Sequence, residues 1–460
     1  MSEKLHQEEM LQVFREQARD ILKDQDRFIK NRDDLLVGFE SETAIYKDEK
    51  FLDGLEAARD SILSELSDIG DVELGVAQIE LRTPPVNLLK LGGVSELFAL
   101  HQNNDQRLTQ AARARGYRIL RVGANPFLPT VNSPRTNRPK YHQVPDFYNA
   151  HRPTYIDTFI GSGRGRVDVG DAAIVSLFQS FQVNLQARSF EDACDKMNRS
   201  FMIAPYLLAL SGNSRYLRCI DTRLQDVRMT AWQKSHDTGL QDLRILAWEK
   251  AFDLRGCSGF SAGQVLRVGL PERYFIDLAD YLDRAGRFPF ILYAPEAALK
   301  IAIGMTWLDT RVKFIGDSLV VELRLLPTQP SIEEELALTL LYLGRLFWSQ
   351  EKKETLLPFE MVRENRLSAM LHGMNRPMWF RINEDSIRRA PYRRGIIREI
   401  DRAKQGLMMF GLDKFLDNDL AQRMLIASLA DRLGQKLKKF KKVIPCVDMS
   451  ATLQECGMLR

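Results

Sequence analysis

At 460 residues and 45% hydrophobic composition the chain has ample material for a packed core, and its length allows two or three domain-sized units or one large decorated domain. Its 65 basic and 61 acidic residues leave a net charge of only +4, which gives no electrostatic case for a nucleic-acid or membrane-surface partner. No apolar run approaches the roughly 20 residues of a membrane span, and the charged opening MSEKLHQEEM is not a signal peptide. Cys194, Cys219, Cys257, Cys446 and Cys456 are odd in number and contain no CxxC pair, which suits reduced cytoplasmic thiols better than a disulfide framework or a zinc site.

In chain order, Leu11, Phe14, Ala18, Ile21 and Phe28 predict an amphipathic helix that packs on a neighbour, with Gln25 interrupting its stripe. Strands alternating with helices follow from Leu35. The first strand, VGFESETAIY (37–46), puts Glu40 and Glu42 on one face beside Gly38 and Ala44, with Phe39, Ser41, Thr43 and Ile45 opposite. In QIELRTPP, Glu80 shares a face with Gln78 and Arg82. The stretch 123–154, rich in Pro, Asn and basic residues, reads as a long functional or partly disordered loop. GSGRGRVDVGD (161–171) resembles a phosphate-cradling loop but lacks the Lys-Ser/Thr of a P-loop, so it is read as a surface turn. In SFQVNLQA, Gln182, Asn184 and Gln186 share a face, and in LVVELRLLP, Glu322 and Arg324 do. Ser331 and Glu334 stand in capping-box spacing at the start of a helix whose buried stripe is Ile332, Leu336, Leu340, Leu343 and Phe347. Beyond residue 376 the chain reads as helical and charged, and KLKKFKK reads as a solvated helix end. Trp232, Trp248 and Trp307 are expected in the core, and Cys194 and Cys219 are expected to be buried and inert.

One alternating strand with a wet face is ordinary in an antiparallel sheet. Four strands whose polar faces are acid, amide and arginine, with hardly a lysine or serine, fit a cavity that holds divalent cations and anions together. A hard cation such as Mg²⁺ takes oxygen from a few carboxylates and keeps other positions for water and phosphate. Arginine grips phosphate or carboxylate with two parallel hydrogen bonds. Phosphoryl transfer from ATP needs both.

These strands carry a resemblance to the second glutamate–cysteine ligase family, carboxylate–amine ligases with a glutamine synthetase-like catalytic fold. VGFESE resembles the family's opening Glu-x-Glu strand, IELRTPP its next acidic strand, and RVGANPF its strand ending in a Gly-x-x-Pro-Phe turn. SFQVNL, LALSGNS and DVRMTAW are similar to segments of the plant and proteobacterial branch. ENRLSAMLHG resembles a family helix, and VVELRLLPTQPSIEEELAL is similar to the other branch. The matching segments occur in the family's order over residues 35–373.

The resemblance implies an α+β protein: a curved antiparallel sheet with the active site on its concave face and helices on its convex face. It implies a ligase domain at 35–375 between helical segments at 1–34 and 376–460. Glu40, Glu42, Glu80 and Glu322 would bind the Mg²⁺ ions that bridge ATP phosphates. Gln182 would be a neutral metal or nucleotide ligand, Asn184 would hydrogen-bond substrate, and Arg228, Arg311 and Arg324 would neutralise the transferring phosphoryl group or hold the substrate's carboxylate. An Arg-Tyr pair of the family reads Thr154–Tyr155 here, so Arg152 close by is the candidate for its substrate- or nucleotide-binding role. The implied chemistry is ATP-dependent activation of glutamate's side-chain carboxylate as an acyl phosphate, followed by attack of an amine. Cysteine is the favoured amine, giving γ-glutamylcysteine for glutathione biosynthesis. The alternatives are a ligase for another amine and a catalytically silent relative that binds nucleotide or a partner. Where the plant branch has Asn-Ser-Pro-Phe followed soon by an acidic residue, this chain has Asn213, Ser214, Arg215, Tyr216, Leu217 and Arg218, and its Arg311-to-Glu322 connection is longer than in that branch. Like-charge repulsion predicts that Glu40→Gln or Glu322→Gln stabilises the metal-free protein.

Overall fold

The computed structural model describes residues 3–31, 34–47, 54–154, 156–161, 163–237, 268–416, 429–440 and 443–460. Tyr155, Trp248, Cys257, Lys441 and Lys442 lie outside them, as does Ser162 of the glycine-rich stretch.

An antiparallel sheet organises the molecule. Its strands run in the spatial order Thr310–Ile315, Ser318–Leu323, Phe181–Ala187, Leu36–Tyr46, Gln78–Arg82 and Gly70–Val72, with Val86–Asn87 and Arg118–Leu120 also paired to the Leu36–Tyr46 strand. The sheet curls into a half-barrel. The predicted period-2 patterning holds on its central strands. Val37, Phe39, Phe181, Val183, Leu185 and Leu323 point into one core with Met202, Ile203, Leu207 and Leu210 of the helix Phe190–Ser211. With that face sealed by helix, register leaves the carboxylates and amides on the other face.

The helix Ile332–Glu351 opens with the expected capping box: Glu334 N–H donates to Ser331 Oγ at 3.2 Å, and Ser331 N–H to Glu334 Oε2 at 3.3 Å. Its buried surface is wider than the expected stripe. Leu338, Leu341 and Tyr342 are buried as well, and Leu336 is only partly so. The reason is a second partner, the helix Tyr392–Met408, which approaches so closely that a Cβ on Gly406 would collide with the Gly344 carbonyl.

Two segments differ from the sequence reading. The stretch 123–154 contains a helix, Pro139–His151, which tolerates Pro139 in its first turn and also carries Pro145 inside. The segment 376–460 is not helical throughout. It begins with a hairpin, Pro377–Asn383 against Ser386–Pro391, whose Met378 and Phe380 join the same core as Val37. The long Arg311-to-Glu322 connection is itself a tight hairpin in which those two residues are directly paired across the strands.

At the N-terminus the helix Glu3–Lys23 buries Met10, Phe14, Ala18 and Ile21, with Leu11 only partly covered, and Phe28 follows in a separate 3-10 turn. Val167–Asp168, within the glycine-rich stretch, pairs antiparallel with Phe159–Ile160 just before it. No helix among the described residues is long and apolar enough to cross a membrane.

Candidate active site

The polar face of the sheet forms one wall of a cavity of about 610 Å³. Glu40, Glu42, Glu80, Gln182, Arg228, Arg311 and Arg324 line it. Glu322 lies fully buried beneath them, held in register opposite Asn184 and Arg311.

The bonds divide this face in two. On the side of the Arg311–Glu322 hairpin, Lys313 Nζ donates to Glu40 Oε1 at 2.9 Å and to Glu322 Oε1 at 2.6 Å. Arg324 donates to Glu322 Oε2 at 2.7 Å, and the Arg311 Nε–H bonds the same oxygen. Asn184 Nδ2 reaches Glu40 at 3.3 Å. Burial alone would raise the Glu322 carboxyl, but Arg311, Arg324 and Lys313 together override it and hold the group well below the usual carboxylate range.

On the other side Glu42 and Glu80 face each other directly across two strands, with Glu73 on the same wall. Glu42 accepts from neutral donors, Ser180 N–H at 2.8 Å and Gln182 Nε2 at 3.0 Å. Burial, then the nearby Glu73 charge, push it up to about 8. Burial raises Glu73, and burial followed by the Glu73 and Glu40 charges takes Glu80 well above its ordinary value although Arg82 pairs with it.

Among the described residues no three His, Cys, Asp or Glu side chains converge on one point as a ready metal cage. The donor set of the second side nonetheless fits a hard divalent cation. Glu42, Glu73 and Glu80 crowd one wall, and the buried Gln182 Oε1 beside them lacks a partner. Crowded carboxylates and an orphaned amide oxygen call for a cation.

Two sequence-predicted residues sit differently from the expectation. Arg228 borders the cavity, but its guanidinium is spent on Asp226 Oδ2 at 3.1 and 2.9 Å and on the Leu325 carbonyl at 2.6 Å, so it braces the wall. Arg152 lies outside the cavity lining at the end of the helix Pro139–His151. There it donates to Asn149 Oδ1 at 2.9 Å and the Ser235 carbonyl at 2.7 Å.

Lys313, Glu73 and Asp309 were not anticipated. Lys313 was legible in principle, because TRVKFI alternates and puts Arg311 and Lys313 on one face; Glu73, in the turn after Val72, belongs to no periodic pattern. Asp309 on the cavity wall is gripped by both arms of Arg366, at 2.5 and 2.9 Å, which gives the ENRLSAMLHG helix a direct hold on the site. Trp232 and Trp307 are only partly buried: each packs against a hydrophobic cluster, as expected, and also borders the cavity. Both line the cavity with their rings 5.8 Å apart, and His236 joins them 5.4 Å from Trp307. These rings share the cavity lining with the carboxylates and arginines of the sheet.

The altered stretch 213–218 contributes nothing to the cavity lining. Asn213 pins the Gly123 N–H at 2.8 Å and the Thr328 carbonyl at 2.8 Å, and Arg215 pairs with Asp221 at 2.7 Å.

A curled antiparallel sheet backed by helices, with acids and arginines on its open face, is the architecture of the glutamine synthetase-like ligases. The chain matches the model of glutamate-cysteine ligase family 2 over residues 36–386, and it belongs to that family. It is 26% identical over 156 residues to a candidate glutamate–cysteine ligase 2-3 of Rubrobacter xylanophilus, an alignment spanning 34% of this chain and 36% of that relative. Its fold is similar to that of a glutamate–cysteine ligase from Francisella tularensis crystallised with AMP. That match has a TM-score of 0.52 and 11% identity, over 94% of this chain and 89% of that one. A bifunctional glutathione synthetase from Pasteurella multocida is also similar, with a TM-score of 0.51 and 11% identity over 99% of this chain and 54% of that one.

Proposed function

We propose that the chain is an ATP- and Mg²⁺-dependent ligase. It would activate the side-chain carboxylate of glutamate as an acyl phosphate and join it to an amine, with cysteine the favoured acceptor and γ-glutamylcysteine the product. The observation that carries this reading is the single cavity wall on which Glu42, Glu73 and Glu80 stand beside Arg311 and Arg324, within the segment matched by the family model. Use of ATP and of a thiol substrate suits a cytoplasmic enzyme supplying glutathione biosynthesis.

Glu42 and Glu80, with the Gln182 amide oxygen, would hold Mg²⁺, which supplies charge neutralisation to the nucleotide's phosphates. Arg324 presents its guanidinium to the same space and would carry part of the charge on the transferring phosphoryl group, while Arg311 steadies it through their shared carboxylate, Glu322. The paired rings of Trp232 and Trp307 in the cavity lining would offer flat apolar surface for the adenine base. One carboxylate oxygen of glutamate attacks the γ-phosphorus and ADP leaves; the amine nitrogen then attacks the acyl carbon and phosphate departs. No protein nucleophile takes part, so catalysis rests on positioning and charge.

The test is ADP release against a panel of acids and amines. ADP should appear only with ATP, Mg²⁺ and an acidic amino acid together. Glutamate should exceed aspartate by on the order of a hundredfold, because one methylene misplaces the reacting oxygen by about an ångström. A different best amine would replace cysteine in this reading. Tight nucleotide binding without ADP from any pair would make the chain a silent member of its family.

A further inference from the structure

We propose that Lys313 is a built-in cation that fills the place of a divalent ion between Glu40 and Glu322, so that metal enters only the Glu42–Glu80 side of the site. The proposal rests on the ligase reading for the identity of the natural ligand, a metal–nucleotide, but not for the behaviour of Lys313 itself.

The hairpin places Lys313 by simple alternation. Arg311 pairs with Glu322 across the two strands, so Lys313, two residues on, projects from the same face. Its ammonium bridges two carboxylates from different strands, 2.9 Å from Glu40 Oε1 and 2.6 Å from Glu322 Oε1. A divalent ion bridging Glu40 and Glu322 would need these oxygens. It would also stand in contact with a positive charge that the surrounding protein screens poorly.

Glu322 has no second face to offer. Its other oxygen is taken by Arg324 at 2.7 Å and by Arg311, so one carboxylate already meets three cations. Glu40 and Glu322 are therefore matched by Lys313, Arg311 and Arg324, an excess of fixed positive charge. Glu42, by contrast, receives only the Ser180 N–H and the Gln182 amide among its hydrogen bonds, and Gln182 Oε1 remains buried without a partner. The two sides of one wall thus solve the same problem differently: on one, three cations of the chain meet a single carboxylate, whereas on the other Glu42, Glu73 and Glu80 crowd together with Arg82 paired to Glu80, which leaves charge for a bound cation to neutralise.

The test counts bound Mn²⁺ by electron paramagnetic resonance on the full chain, with and without a non-hydrolysable ATP analogue. Lys313→Met and Lys313→Gln should each bind one more ion per chain than wild type. Lys313→Arg, which keeps the charge, should bind the wild-type number. Adding Glu322→Gln to Lys313→Met should remove the extra ion. Thermal melts run alongside identify a folded variant, and either neutral substitution suffices. An unchanged count in the folded neutral variant overturns the proposal. If wild type binds no Mn²⁺ in either condition, the ligase reading fails, while a gained ion in Lys313→Met still supports the role of Lys313 and its absence refutes it.

Discussion

On the hairpin side of the sheet, Glu322 is fully buried yet ionised, because Arg311, Lys313 and Arg324 surround it. Two and three strands away, Glu42 and Glu80 stand opposite each other on the same face, near Glu73, and Glu42 is met by an amide and a backbone N–H instead of a cation. Residue type alone makes the two sides look alike, since each is a glutamate on an alternating strand. The difference lies in the neighbours: a carboxylate met by three cations braces the structure, whereas Glu42, Glu73 and Glu80, with Arg82 paired to Glu80 alone, hold protons or await an ion.

The largest expected effect breaks the satisfied side. Glu322→Gln leaves Arg311, Lys313 and Arg324 without their common anion, and removing one partner of a buried ion pair costs about 3–5 kcal/mol. Chemical denaturation should show this loss even without metal. The earlier expectation that this substitution stabilises the protein is thereby reversed. An unchanged midpoint would mean that the three cations find other partners.

The unsatisfied side should respond in activity instead. Glu42→Gln and Glu80→Gln should remove bound metal and lower ADP formation by at least about a hundredfold, the scale expected for loss of a charge-stabilising contact at a reacting phosphoryl group. Both variants should fold. Wild-type turnover in either would remove the metal assignment from that wall.

Arg324→Lys comes next. Its guanidinium bonds Glu322 at 2.7 Å and faces the cavity, so lysine would keep the charge and lose the fork. The expected loss in kcat/KM is on the order of 1.5–3 kcal/mol, and a change of less than about twofold would argue against direct contact with phosphate or carboxylate.

The smallest effect sharpens the contrast through pH. Glu42 has its folded value raised to about 8 by burial and by Glu73. The fold therefore holds its proton more tightly than the unfolded chain does. Its contribution to stability is full below the ordinary carboxylate value and is lost as pH rises through about 8. Glu322 has the opposite sign: its depressed value gives stability above the ordinary range that is lost on acidification. In metal-free buffer, Glu42→Gln should raise stability by on the order of 1 kcal/mol at the alkaline end, from relief of like-charge crowding, and flatten the fall toward it. An unaltered pH–stability curve in Glu42→Gln would show that Glu42 does not carry the strain.

Much of this was legible in the sequence wherever a pattern had a period. Phe181, Val183 and Leu185 alternate with Gln182 and Asn184, and the Ser331–Glu334 pair opens its helix as read. What escaped lacked a period or resembled something else. Pro139 and Pro145 disguised a helix as a loop. The exposed arginines of Ser386–Pro391, Arg388 and Arg389, disguised a hairpin as charged helix. Glu73 sits in a turn, where spacing says nothing about which wall it joins. Trp232 and Trp307 are apolar enough for a core, and only the tertiary arrangement shows them facing a cavity. The roles of Arg228 and Arg324 could not be told apart from sequence, because the distinction is whether backbone carbonyls and Asp226 reach the guanidinium first.

The most direct measurement follows an oxygen atom. Glutamate labelled with ¹⁸O in its side-chain carboxylate is incubated with ATP, Mg²⁺ and cysteine, and the released phosphate is analysed by mass or by phosphorus resonance shift. If the wall of Glu42, Glu80 and Arg324 serves to build an acyl phosphate, each amide bond formed sends one labelled oxygen into phosphate. Amide formed with unlabelled phosphate would contradict the account, because the carboxylate would then have been activated by some other route.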